Sequence, residues 1–226
     1  CGVKIFMGAS TGNMLVDREK ALTDIFTHSP TLITTHCEDT PMIQAQEAAY
    51  REQYGDDVPM KYHPDIRCRE ACYKSSSFAV DLAKKTGADL HVLHLTTAEE
   101  MALFEAGPVA GKKITAEACV HHLWFAEEDY ETKGSLIKCN PAIKKMSDRE
   151  AVRQAVREGR IDIIATDHAP HTWEEKQNTY FTAPAGLPQV QQSLTALLDM
   201  VHQGVFDLET VVQKTAHNVA IRYEIK

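Results

Sequence analysis

The run Ile161-Asp162-Ile163-Ile164-Ala165-Thr166 is apolar and β-branched, and it ends abruptly in Asp167-His168-Ala169-Pro170-His171. A strand with apolar residues on both faces has to be covered on both, which is how strands of a helix-covered parallel sheet read. Polar groups just past the C-terminal end of such a strand lie where α/β barrels gather their chemistry. The pattern recurs. Segments 3–7, 31–35, 90–95, 113–118 and 161–166 are short, rich in Ile, Val, Leu or Thr, and followed by polar or small residues.

Helical periodicity fills the gaps, at 17–27, 69–86, 97–105, 147–158, 187–202 and 208–216. Gly87 and Gly159 stop two of these helices. Thr97 with Glu100, and Ser147 with Glu150, have the spacing of a capping box, with the Thr and the Ser as N-caps. The stretch 38–63 is an excursion after the second strand, with a helix near 41–53. Strands alternating with helices predict βαβ units and a parallel sheet. A doubly wound sheet would carry a glycine-rich phosphate turn, and the nearest candidate, Gly8-Ala9-Ser10-Thr11-Gly12, lacks that spacing. The expected fold class is therefore α/β, a (β/α)8 TIM barrel. A whole barrel takes roughly 250 residues. The chain has 226 and starts Cys1-Gly2-Val3-Lys4 without Met, so it reads as the part from the fourth to the eighth strand.

Hydrophobic residues make up 43% and charged residues 25%, which supports a sizeable core and argues against disorder. A net charge of −8 disfavours nucleic acid and anionic membranes as partners. The apolar runs are too short to span a bilayer, and no signal peptide is visible. The six cysteines form no CxxC pair, so free thiols in a reducing cytoplasm are expected. Cys68 and Cys72 could mimic a metal pair on a helix, but ordinary buried thiols are the simpler reading.

The strand tips carry the candidates. Lys4 lies between Val3 and Ile5 in an apolar strand, where an ammonium needs a partner, an escape to solvent or a chemical use. The chemical use would be a neutral amine that takes up carbon dioxide to give an anionic oxygen ligand. His36 ends the second strand and is either a metal ligand or a hydrogen-bonded structural residue. His91 and His94 are three apart and face opposite ways on one strand, so His94, at the tip, is the expected ligand and His91 structural. His121 and His122 should also diverge, with one bracing the site. Asn140, before Pro141, offers a donor and an acceptor for an amide edge, or simply a turn. Asp167 can bind a metal and take a proton, with His171 close by. Imidazoles, anionic oxygens and Asp together suit zinc-type hydrolysis. No Gly-x-Ser-x-Gly elbow supports a serine hydrolase.

These motifs resemble the amidohydrolase superfamily and, within it, the dihydroorotase family. Val3-Lys4-Ile5-Phe6-Met7-Gly8 is similar to the family's carboxylated-lysine strand. Thr35-His36-Cys37-Glu38-Asp39 and His91-Val92-Leu93-His94-Leu95-Thr96-Thr97 resemble its histidine strands. Glu117 to Leu123 and Cys139-Asn140-Pro141 match further elements, and Thr166-Asp167-His168-Ala169-Pro170-His171 is the most specific match. Ala183-Pro184-Ala185-Gly186-Leu187-Pro188 resembles a loop near the substrate.

The resemblance implies two zinc ions bridged by the Lys4 carbamate and by hydroxide. Lys4, His36, His94 and Asp167 would be the metal ligands, and Asn140, His171 and Gly186 would line the substrate. Asp167 would carry the proton as the cyclic amide of dihydroorotate opens to carbamoyl aspartate, a reversible step of pyrimidine biosynthesis. The family's His-x-His pair and its adjacent Arg are absent from residues 1–226, which are expected to be the C-terminal part of one barrel domain with an incomplete metal site. Lys144-Lys145 replaces an Arg that often follows Asn-Pro. A hydantoinase or allantoinase, and a catalytically silent homologue acting as a structural partner, are the competing readings. A homodimer is compatible with the sequence, which does not itself fix an assembly.

Overall fold

The β-branched runs pair in chain order. In the computed structural model, which describes residues 2–8 and 14–225, they form β1 (Val3–Phe6), β2 (Ile33–His36), β3 (Leu90–Val92), β4 (Ile114–Cys119) and β5 (Ile163–Ala165). All neighbours are parallel, in the order β1-β2-β3-β4-β5. A doubly wound sheet reverses its strand order at a switch point. This sheet never does, and it curves as part of a (β/α)8 wall. The glycine-rich turn sought near residues 8–12 lies largely outside the described residues.

The helices are α1 (Glu19–His28), α2 (Thr40–Tyr54), α3 (His63–Ile66), α4 (Arg69–Thr86), α5 (Val120–Trp124) and α6 (Tyr130–Lys133). They continue with α7 (Met146–Glu158), α8 (Trp173–Lys176), α9 (Ser193–His202), α10 (Leu208–Val212) and α11 (Asn218–Tyr223). None is long and apolar enough to cross a membrane. In α4 the buried positions Ala71, Cys72, Ser75, Ser76, Ala79, Val80 and Ala83 recur at helical spacing, and small side chains let the helix lie close on the sheet. The main core joins Ile33, Leu90, Val92, Ala116 and Ile164 of the strands to Leu22, Phe26, Val80, Leu123, Val152, Leu197 and Met200 of the helices. A second cluster around Ile43, Ile66 and Tyr180 packs the excursion after β2 against the loop beyond β5.

Three local expectations change. Ser147 is not a cap: α7 starts at Met146, and the neighbouring Asp148 carboxylate instead receives Ala98 N–H at 2.9 Å and Arg69 Nη1 at 2.8 Å. Thr97 starts only the 3₁₀ turn Glu99–Leu103, because Glu100 reaches back to Thr97 N–H and its hydroxyl, at 3.1 and 2.9 Å. The helix expected from Leu187 begins at Ser193, because Leu187 is held as a bridge to His168. Gly159 must be glycine: it ends α7 at φ 75°, and a Cβ there would lie 2.8 Å from the Gly107 carbonyl oxygen.

Candidate active site at the strand tips

In a parallel sheet all the C-terminal strand ends lie on one side, so β2, β3, β4 and β5 deliver His36, His94, Glu117 and Asp167 to the same rim. His36 Nδ1 is 3.1 Å from His94 Nε2, and the rings meet edge-on with centroids 4.8 Å apart. The remaining nitrogen of His36, Nε2, lies 2.9 Å from Glu38 Oε2. Glu38 follows His36 by two residues, and strand periodicity puts both side chains on one face. Glu38 is fully buried and also pairs with Arg67, which arrives just after α3. Burial alone would raise its carboxyl, but Arg67 and His36 outweigh burial and hold it at about 2. A fixed carboxylate keeps the His36 proton on Nε2 and leaves Nδ1 as a lone pair.

His94 stands one step beyond the end of regular β3, at φ 39°. Its backbone N–H reaches Glu117 Oε1 at 3.3 Å, and its Nδ1 is buried without a partner. Burial, reinforced by His36, pushes it down to about 3, so it is a neutral donor of a lone pair. Two nitrogens each 2.0–2.1 Å from one tetrahedral zinc stand roughly 3.3 Å apart. The observed pair is within a few tenths of an ångström of that, so these imidazoles fit two corners of a metal's coordination shell. His91, by contrast, is satisfied by Thr115 Oγ1 at 2.8 Å and Glu117 Oε2 at 3.3 Å, a structural role.

Lys4 does not sit as expected. Its side chain is exposed on edge strand β1, where it lies 4.6 Å over the Phe6 ring, so the burial behind its proposed reactivity is not found. The reason is that β1 pairs only with β2, and nothing among the described residues covers its other side. Register still places it near the pair, with Lys4 opposite Thr34 and Phe6 opposite His36.

Asp167 leaves β5 at φ 42°, exposed at the rim. Three loops meet beside it. Ala169 N–H donates to Leu187 O at 3.0 Å, and Gly186 N–H donates to Lys138 O at 2.8 Å. The buried Lys176 ammonium ties the bundle by donating to Gly186 O and Pro184 O, both at 2.9 Å, and to Lys138 O at 3.2 Å. Gly186 has φ 142°, and a Cβ there would lie 2.6 Å from Ala169 O and 3.3 Å from His171 Cδ2. His171 and the Gly186 loop are therefore brought together. Asn140, next to the Lys138 anchor, has a buried Oδ1 with no partner, which is free to accept a hydrogen bond. His63 Nε2 donates to Cys139 O at 2.8 Å, while its Nδ1 accepts from Tyr180 at the same distance. Lys144 is buried and bonded to Ala142 O at 2.9 Å, so it is held within its own loop.

Arg67, Glu117, His63, Lys138 and Lys176 were not read from the sequence. Glu38 could have been, from its spacing to His36. The expectation that His121 and His122 diverge also fails: their ring centroids are 4.2 Å apart. The described cysteines are free thiols, as expected.

No family model matches the chain. Among curated proteins it is 32% identical to the dihydroorotase of Halobacterium salinarum over 225 residues, covering 96% of this chain and 49% of that one. It is 30% identical to the dihydroorotase of Methanosarcina mazei, covering 96% and 48%. Against that of Enterococcus faecalis it is 37% identical, over 59% of this chain and 31% of the relative. The chain thus spans about half the length, or less, of the curated relatives it matches. Among solved structures, the L-hydantoinase of Arthrobacter aurescens superposes with a TM-score of 0.88 at 23% identity, over 98% of this chain and 51% of that one. The Saccharomyces cerevisiae dihydroorotase in complex with 5-fluoroorotic acid superposes at 0.76 with 18% identity, over 100% and 60%. Both structural likenesses establish the (β/α)8 fold, and the sequence likenesses establish descent: the chain belongs to the dihydroorotase family of cyclic amidohydrolases.

Proposed function

We propose that this chain is the C-terminal part of a zinc-dependent barrel enzyme that reversibly hydrolyses the cyclic amide of dihydroorotate to carbamoyl aspartate. The observation that carries this reading is the His36–His94 pair, two neutral imidazole nitrogens 3.1 Å apart at neighbouring strand tips, backed by a buried carboxylate. His36 and His94 would hold metal, joined by Asp167 and by Lys4 as its carbamate. A bound zinc would supply Lewis-acid polarisation and acidified water at neutral pH.

The remaining work falls to this chain's own groups. Asp167 accepts the proton of the attacking water and returns it to the leaving ring nitrogen. Asn140 meets the amide edge with its unpartnered Oδ1. His171 and the backbone around Gly186 orient the ring and its carboxylate, and Lys176 fixes that backbone. In the reverse direction Asp167 takes the proton from the carbamoyl nitrogen as the ring closes.

The test is turnover of dihydroorotate, hydantoin and allantoin by the full-length protein, with zinc measured alongside. Preferential turnover of dihydroorotate is expected. Preference for hydantoin or allantoin would move the substrate within the same reaction class. Absence of both zinc and turnover would instead identify a silent structural homologue.

A further inference from the structure

Cys119 ends β4, and His121 and His122 form the first turn of α5. One donor atom from each lies within 4.8 Å of the others, and all three residues are buried. Their partners are unusually few. Both ring nitrogens of His121, a residue 1% exposed, lack a hydrogen bond, as does Nδ1 of His122. Buried imidazoles are ordinarily satisfied, so bare nitrogens on one side of a cluster call for an occupant. His122 Nε2 donates to Pro141 O at 3.0 Å, which fixes the tautomer with a lone pair on Nδ1, an arrangement common for metal-bound histidines. Cys119 Sγ has only a long contact, 3.8 Å, to Glu117 Oε1. Helix geometry should splay adjacent side chains, yet these two rings converge to 4.2 Å. A cleft lined by Val120, His121, Trp124 and Gln192 gives a path in from solvent.

We propose that Cys119, His121 and His122 form a further metal site, of the thiolate–imidazole class that takes zinc, sharing no ligand with the His36–His94 pair. On binding, the Cys119 S–H bond breaks and an S–metal bond forms, the proton passing to solvent, while the imidazoles donate as neutral ligands. The site would clamp the end of β4 to the start of α5, one strand away from Asp167.

Cobalt(II) is the probe, because a thiolate ligand gives a sulfur-to-cobalt charge-transfer band in the near ultraviolet that nitrogen and oxygen ligands do not. Titrating the chain with cobalt(II) should develop that band with one equivalent. Cys119→Ser should abolish it, and His121→Gln should weaken the apparent affinity by more than ~100-fold, the upper range for changes outside the ligand shell. The band should persist in His36→Ala/His94→Ala, whatever that variant does to turnover. No band in the wild-type chain, or a band that survives Cys119→Ser, overturns the site. If Cys119→Ser does not fold by circular dichroism, His121→Gln decides: unchanged cobalt affinity overturns the proposal.

Discussion

Arg67→Met removes the cation beside Glu38 at roughly constant volume and leaves a carboxylate whose side chain is 0% exposed. Breaking a buried ion pair by deleting one partner costs ~3–5 kcal/mol, because the other charge stays buried and uncompensated. A second route gives a similar figure. Glu38 is held at about 2 against an ordinary 4.5, and that difference is worth roughly 3 kcal/mol of folding stability. The sign follows from the depressed value. The stabilisation is fully present above pH 4.5 and drains away as pH falls from 4.5 towards 2, where the folded state must protonate Glu38 too. Urea unfolding of wild type and variant at pH 7 and pH 3 checks both parts. At pH 7 the variant should be about 3–5 kcal/mol less stable, and the gap should narrow clearly by pH 3. Adding Glu38→Gln to Arg67→Met should recover part of the loss, since the orphaned charge is then gone. A gap under about 0.5 kcal/mol at pH 7, the size of an ordinary surface change, would refute the reasoning. So would a full-sized gap that ignores pH.

Two further substitutions probe the loops beside Asp167. Gly186→Ala forces a side chain into φ 142° and against Ala169 O, and should cost ~1–3 kcal/mol in thermal unfolding while raising KM more than it lowers kcat. Lys176→Met leaves the carbonyls of Pro184, Gly186 and Lys138 without their shared donor. It should cost ~1–3 kcal/mol and speed amide hydrogen exchange at Gly186 and Ala169, with exchange in α4 unchanged.

What could be read ahead of the structure was whatever repeats locally. The five strands and the α4 helix follow from β-branched runs and helical spacing, and the structure returns them with shifts of a few residues at their ends. Position along the chain also located His36, His94 and Asp167, because a parallel sheet sends every C-terminal strand end to one side. The failures are non-local. Arg67 meets Glu38 across 29 residues of an excursion that carries no periodic signal of where it returns. Lys138 and Lys176 look like surface lysines in sequence and become buried ties only once three loops converge. Lys4 fails in the opposite way: an apolar strand implies cover on both sides, but β1 is paired only with β2. Ser147 shows that a motif spacing has no force when the helix starts one residue early.

The two rim residues with left-handed backbone were beyond sequence reasoning altogether. His94 at φ 39° and Asp167 at φ 42° follow β3 and β5 at the point where each strand breaks off. An L-residue there costs ~1–2 kcal/mol relative to an extended or helical backbone, and glycine would avoid the cost. A chain selected for stability alone would place glycine at both positions. That the side chains are His and Asp instead implies that the turn serves to aim them, and strain of this kind is typical of functional sites. Asp167→Gly separates the two demands. Asp167 is exposed and makes no printed hydrogen bond through its carboxylate, so the variant gives up little packing. The relief of strain is partly offset by the extra freedom glycine brings to the unfolded chain. Stability should stay level or rise by up to about 1 kcal/mol, while turnover by the full-length protein falls by at least ~100-fold for want of the proton carrier. A variant destabilised by more than about 1 kcal/mol would show that the left-handed turn at Asp167 is a structural preference and not strain held for chemistry.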